Sequence, residues 1–386
     1  MTPGNLGTLK VPTPERCPAS FKIRGMWWNP LPLWLGGFMS LGRPGFPRGH
    51  ERGLEDEMNT TVLGSYPKIP AHAGPSVRQA LQRFERRAIG PRELEDVFQA
   101  ATRRALDVFS AAGLTRVTDG QIRWSDLADP VVRDIDNLVH GGLQRFFDNN
   151  FYFRQPTVVG RLQYQGGVLA EWTRLAVGAA DRALKVALPG PLTLLSLADD
   201  RTYHHREHFL ADLVEVLALE ASSIARAGAV EIQWDEPAAA AGVPTDPAEA
   251  IAVWTSLIAG NPAVEQSLAF YFGPAGSWLD HLPDTGVHRV YLDLVAEPTL
   301  IDRLSAEALP FEVGLGLLDA RNVRLEDPLA VARAVSRVSR CQGAGRVWLH
   351  PNCGLEFLPP DRAEAKVKWL GSVAGRIDEE ARNTHA

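Results

Sequence analysis

The sequence is poor in several features that would assign it quickly. Cysteine occurs only three times in 386 residues, at Cys17, Cys341 and Cys353. That is too few for a disulfide framework and fits a reducing, cytoplasmic setting. No apolar run approaches the roughly 18 residues that a membrane-spanning helix needs. A formal charge of −6 leaves no basic footprint, which argues against nucleic acid as the main partner. The segment after the first apolar run, GSYPKIP (64–70), is not a glycine-rich phosphate loop, so a dinucleotide fold loses its usual signature. With 45% hydrophobic and 22% charged residues, the rest is average for a globular chain. The implied partners are small molecules, with no membrane and no nucleic acid.

The N-terminal part differs from the remainder of the chain. Residues 24–49 are dense in Gly, Pro and Trp and show neither helical nor strand period. Pro30 and Pro32 interrupt the apolar stretch, and no small-residue cleavage pattern comes after it, so a signal peptide fits poorly. Residues 1–57 are therefore expected to be a disordered extension or a mis-called upstream region, with Met58 as the natural start and 58–386 as one domain.

From Met58 onward, short β-branched or apolar runs alternate with stretches of helical period. The runs are TTVLGSY (60–66), LTRVTDG (114–120), KVALPGP (185–191), AVEIQWDEP (229–237), SLAFYFGP (267–274), HRVYLDL (288–294), FEVGLGLLD (311–319) and RVWLH (346–350). Helical pattern occupies about 76–112, 208–228 and 361–382, among others, and a long aromatic-rich insertion spans 120–165. Eight β units with intervening helices predict an α/β fold, a (β/α)8 TIM barrel enlarged beyond its usual length of about 250 residues. A doubly wound sheet is the alternative.

In such barrels the site forms at the C-terminal ends of the strands. Those ends carry Ser65, Tyr66, Asp119, Gln121, Asp235, Glu236, Tyr271, Asp293, Asp319, Arg321, Asn322, His350, Asn352 and Cys353. Individually, Asp, Asn and Gly also come after strands to cap the next helix. In the pair Asp235-Glu236, adjacent side chains point in different directions, and a buried Asp there suits an ammonium or amide ligand. The loop 120–165 adds Gln121, Trp124, Asn149 and Arg154 as contact candidates. HHREH (204–208) fits the H-x-x-E-H pattern of inverted zinc peptidases, with His204 and His208 sharing a helix face. Its place at the start of a helix leading into a barrel strand points away from the mouth, and a solvated helix start is the better reading. Cys353, in PNCG (351–354), stands open as a ligand or as a small residue in a tight turn.

Together, LGSYP (63–67), FFDNNFYF (146–153), LPGPLTLL (188–195), QWDEPA (233–238), GLGLLDARNV (314–323) and HPNCGL (350–355) resemble the cobalamin-independent methionine synthase family, in the family's order. The resemblance implies a methyltransferase that passes a methyl group from 5-methyltetrahydrofolate, or a related donor, to homocysteine, with the thiol activated on zinc. It implies Asp235, Asp319 and Arg321 in catalysis, and Ser65, Gln121, Asp235, Glu236 and Asn322 on the substrate. Cys353, Asp293 and His350 are the implied metal ligands. The sequence departs from the pattern where the family has a His-x-Cys ligand pair: Leu268 and Phe270 stand there. Asp293 replaces a Glu, and the family's D-x-H-S histidine is absent from Asp319-Ala320-Arg321-Asn322. The chain has features of both the catalytic C-terminal barrel and the zinc-free N-terminal barrel of the long enzymes. A second reading is therefore a folate- or amino-acid-binding barrel without chemistry of its own, partnering a separate catalytic barrel. A decarboxylase of the same fold would need an arginine cluster that the sequence does not supply.

Overall fold

In the computed structural model, residues 58–69, 76–147 and 151–385 are described. The expectation for residues 1–57 and the candidate Asn149 lie outside them. Eleven strands occur among the described residues: β1 (Asn59–Thr60), β2 (Arg116–Val117), β3 (Ile135–Arg145), β4 (Tyr152–Tyr164), β5 (Ala183–Pro189), β6 (Asp199–Asp200), β7 (Glu231–Asp235), β8 (Glu265–Phe270), β9 (Arg289–Asp293), β10 (Glu312–Leu318) and β11 (Val347–Pro351).

Eight of them form one parallel sheet in the order β1-β11-β10-β9-β8-β7-β5-β2. Its two ends meet, because Thr115 N donates to Thr60 O at 3.1 Å and Tyr66 N to Gly120 O at 2.9 Å. The sheet is thus a nearly closed (β/α)8 barrel, and the doubly wound alternative is excluded. The helices between strands begin where the sequence marks them. Asp246 accepts from Ala248 N before Pro247–Ala259, and Asp327 from Leu329 N before Pro328–Gln342. None of the described helices is long and apolar enough to cross a membrane.

Three local expectations need correction. The ladder of the first strand covers only Asn59–Thr60, and residues 61–66 run on as the wall of the mouth. The aromatic-rich insertion is not loop: β3 and β4 pair antiparallel, with β6 beside β4, as a second sheet. The helix begins at Arg206, within HHREH, with His205 at its N-cap and His204 before it at φ +57°, so His204 and His208 do not share a helix face.

Strand β7 shows how the barrel is filled. Alternation turns Glu231, Gln233 and Asp235 toward the axis and Ile232 and Trp234 toward the helices. The polar half of EIQWD therefore faces the interior, and all five residues are buried. At the base, Glu231 Oε2 meets Arg116 Nη1 at 2.5 Å and Arg289 Nη1 at 2.7 Å. Its Oε1 accepts from Ser267 Oγ (2.6 Å) and Tyr291 OH (3.0 Å). Arg289 also pairs with Glu312 and Glu265 and lies over the Trp348 ring at 4.0 Å. The base is a closed plug of matched charges.

Candidate functional site

Above that plug the inward face of β7 climbs to the mouth. Lys185 Nζ donates to Gln233 Oε1 (2.6 Å), and Gln233 Nε2 donates to Asp235 Oδ1 (2.6 Å). Tyr271 OH donates to Asp235 Oδ2 at 3.2 Å. These hydrogen-bond partners of Asp235 are neutral, and burial pushes its carboxyl up to about 7. It forms the floor of a cavity of about 360 Å³. Ser65 and Gln121 line the cavity with Asp235, and Trp124, Phe146, Phe151, Phe153, Phe272 and Phe357 supply an aromatic wall. Lys68 and Arg78 add positive charge to the lining.

The elements hold these groups closely. Leu355 N donates to Ser65 O at 2.9 Å, tying the end of the first barrel segment to the turn after β11. A Cβ on Gly354 would stand 2.0 Å from Ser65 Oγ, so glycine there leaves the serine hydroxyl free to take this rotamer. Gln121 sits at φ +51°, its backbone N–H on Asp119 Oδ1 and its amide on Ala187 O.

Of the sequence candidates, Ser65, Gln121, Asp235 and Tyr271 converge on the cavity, and Trp124 joins them. The others lie elsewhere. Glu236 turns away: its oxygens accept from Leu192 N, Thr193 N, Thr193 Oγ1 and Trp254 Nε1, which makes it a brace for the helix Pro191–Leu197. Asp319 is half-buried and caps the turn through Arg321 N. Arg321 is exposed, its guanidinium over the Phe272 ring at 5.6 Å, and Asn322 accepts from Arg324 N. Arg154 is paired with Asp126 and Asp129.

The expected metal ligands do not form a set. Cys353 is fully buried, and burial, with the Asp293 carboxylate next in effect, pushes its thiol up toward the neutral form. Asp293 is occupied by Phe272 N, Val295 N, Ala296 N and Asn352 Nδ2. His350 packs edge-on against Tyr291 inside the barrel, with Nδ1 2.7 Å from Pro351 O. Burial holds its imidazole down at about 3, so it is neutral. Phe270 packs against Trp254 on the helix side of β8, and Leu268 shares that face by strand alternation. Among the described residues, no three His, Cys, Asp or Glu side chains stand together as a metal-holding group. The residues present do not fit a zinc centre.

Sequence reasoning did not single out Lys68, Arg78 or the Phe272 and Phe357 rings as site residues. The signal for Lys68 was available, since it lies three positions beyond Ser65 in the same strand-end segment. Phe272 had the same signal, next to Tyr271 beyond the end of β8, whereas Phe357 had none, because its direction depends on tertiary packing.

Residues 131–342, more than half the chain, match the family described as cobalamin-independent synthase, N-terminal domain. The chain is 27% identical over 335 residues to the methionine synthase of Sulfurisphaera tokodaii, covering 84% of this chain and 94% of that protein. It is 28% identical over 324 residues to that of Thermococcus kodakarensis, covering 82% and 91%. In fold it is similar to a B12-independent methionine synthase from Shewanella sp. W3-18-1 in complex with selenomethionine (TM-score 0.71, 21% identity, 85% of this chain and 99% of that one). The nearly closed barrel, the site at its strand ends and these matches together place the chain in the cobalamin-independent synthase family, as a single barrel matching its N-terminal domain.

Proposed function

We propose that the chain is a methyltransferase of the methionine-synthase type, moving a methyl group from 5-methyltetrahydrofolate or a related donor to the thiol of homocysteine. The observation that carries this reading is Asp235: a buried carboxylate whose hydrogen-bond partners are neutral, at the floor of a cavity of about 360 Å³. A ligand ammonium would supply the counter-charge that Asp235 lacks, and a charge-assisted pair in a dry site is strong. Ser65 and Gln121 offer a hydroxyl and an amide for the rest of the amino acid. The aromatic wall suits a flat heterocycle, and Lys68 and Arg78 suit the carboxylates of a folate tail. Relatives matched over 91–94% of their length carry the name methionine synthase, which supports the assignment.

The side chains present among the described residues do not fit a zinc ion. Two observations favour a second reading. The family match is to the N-terminal domain, and no metal-holding group forms among the described residues. On that reading the barrel binds amino acid or folate and works beside a separate catalytic barrel. Methionine formation from labelled methyl donor and homocysteine, with and without such a barrel, separates the two. Turnover by this chain alone supports the first reading; turnover only with the partner supports the second; no turnover in either arm, with no binding of either substrate, contradicts both.

A further inference from the structure

Phe272 comes after β8 at φ +71°, a left-handed conformation that a bulky side chain rarely adopts. Something must hold it there. Its N–H donates to Asp293 Oδ2 at 3.2 Å. The same carboxylate accepts from Val295 N (3.1 Å), Ala296 N (2.9 Å) and Asn352 Nδ2 (3.1 Å), which joins the ends of β8, β9 and β11 at one side chain. Asn352 in turn accepts from Ala320 N at 2.9 Å. Beyond Phe272 the chain is pinned again, since a Cβ on Gly273 would stand 2.1 Å from Ala240 O.

The consequence is the placement of one ring. Phe272 lies edge-on to Tyr271, Phe357 and Phe146, with centroids 4.7, 5.7 and 6.0 Å away, and lines the cavity with all three. Arg321 covers it at 5.6 Å.

We propose that Asp293 is a positioning residue that holds Phe272 in its left-handed conformation, so that the ring forms the wall against which a planar aromatic ligand lies. In place of a metal centre, this edge of the barrel carries an aromatic platform. The inference deepens the reading of the cavity as the donor site and rests on it. An uncharged amide at 293 keeps one acceptor oxygen and loses the other, so the Phe272 N–H and the next turn can no longer both be served.

The test is a double-mutant cycle on Asp293→Asn and Phe272→Gly, titrated calorimetrically with 5-methyltetrahydrofolate. Asp293→Asn is expected to weaken binding about tenfold, the size of a released backbone strain. Phe272→Gly, which needs no help to adopt φ +71°, loses the ring and weakens binding by a similar factor. Adding Asp293→Asn to it then changes nothing further. If Asp293→Asn costs as much in the Phe272→Gly background as in the parent, or costs nothing in either, the proposal is overturned. Phe272→Ala, which leaves Asp293 in place, must show the same loss should the Asn variant fail to fold. A wild-type protein that ignores the methylated folate contradicts the donor assignment above. The same four proteins titrated with 8-anilinonaphthalene-1-sulfonate, a planar aromatic anion, then decide this inference by the same pattern.

Discussion

Glu231 and Asp235 lie four residues apart on one strand, both turned to the barrel axis and both buried, yet they are in opposite electrostatic situations. Burial alone would raise both carboxyls. At the base, Arg289, Arg116 and Lys185 outweigh it and hold Glu231 well below the usual carboxylate range. At the mouth, hydrogen bonds from Gln233 and Tyr271 and the more distant Lys185 do not, and Asp235 rises to about 7. The difference separates stability from function within a single strand. A buried charge with matched partners is a structural plug; a buried charge whose partners are all neutral leaves room for a ligand to complete it.

Breaking the base should have the largest effect. Glu231→Gln leaves two buried guanidiniums short of a counter-charge and is expected to cost about 3–5 kcal/mol of stability, read by urea unfolding. If stability is unchanged, the base is not the plug described. Asp235→Asn should reverse the pattern, with stability kept or raised and the affinity for homocysteine down by roughly 10- to 100-fold, the range of a charge-assisted hydrogen bond.

The pH dependence sharpens the same contrast. The folded value of Asp235 lies above its unfolded one, so its contribution to stability is complete below about pH 4 and is lost as pH rises through about 7. Glu231 runs the other way: its contribution is present above its ordinary range and is lost as pH falls through its depressed folded value. Unfolding measured between pH 4 and 8 should therefore show a component that falls with rising pH in the parent and is missing from Asp235→Asn. Homocysteine affinity should rise across pH 6–8 as Asp235 ionises. The smallest effect belongs to Cys353→Ala, expected to cost about 1 kcal/mol as an ordinary buried substitution, with no stoichiometric zinc in either parent or variant. Stoichiometric zinc that disappears in this variant would contradict the geometry of the mouth.

The barrel was legible in the sequence because its strands and helices alternate with different periods, and Pro189, Asp235, Asp293 and Pro351 close β5, β7, β9 and β11. The hairpin β3–β4 was not. Both faces of that sheet carry polar residues such as Arg154, Gln155 and Arg161 among the apolar ones, so no clean alternation signals it. At the site, Ser65, Gln121 and Asp235 were readable from position alone, since strand ends face the mouth. Asp293 and Glu236 were not, because an acidic residue at a strand end has two outlets, the cavity or nearby backbone N–H groups. Here both take the backbone. The same pattern EIQWD that reads as a strand with one wet face is buried on both, its polar half satisfied by other polar side chains inside the barrel.

Calorimetric titration of L-homocysteine into the parent and into Asp235→Asn, beside the analogue that lacks the amino group, tests the role of Asp235 most directly. The parent should bind homocysteine, the variant should bind it at least tenfold more weakly, and the amine-free analogue should bind both proteins equally weakly. Equal homocysteine affinity in the two proteins would show that the carboxylate at the cavity floor does not hold the ammonium.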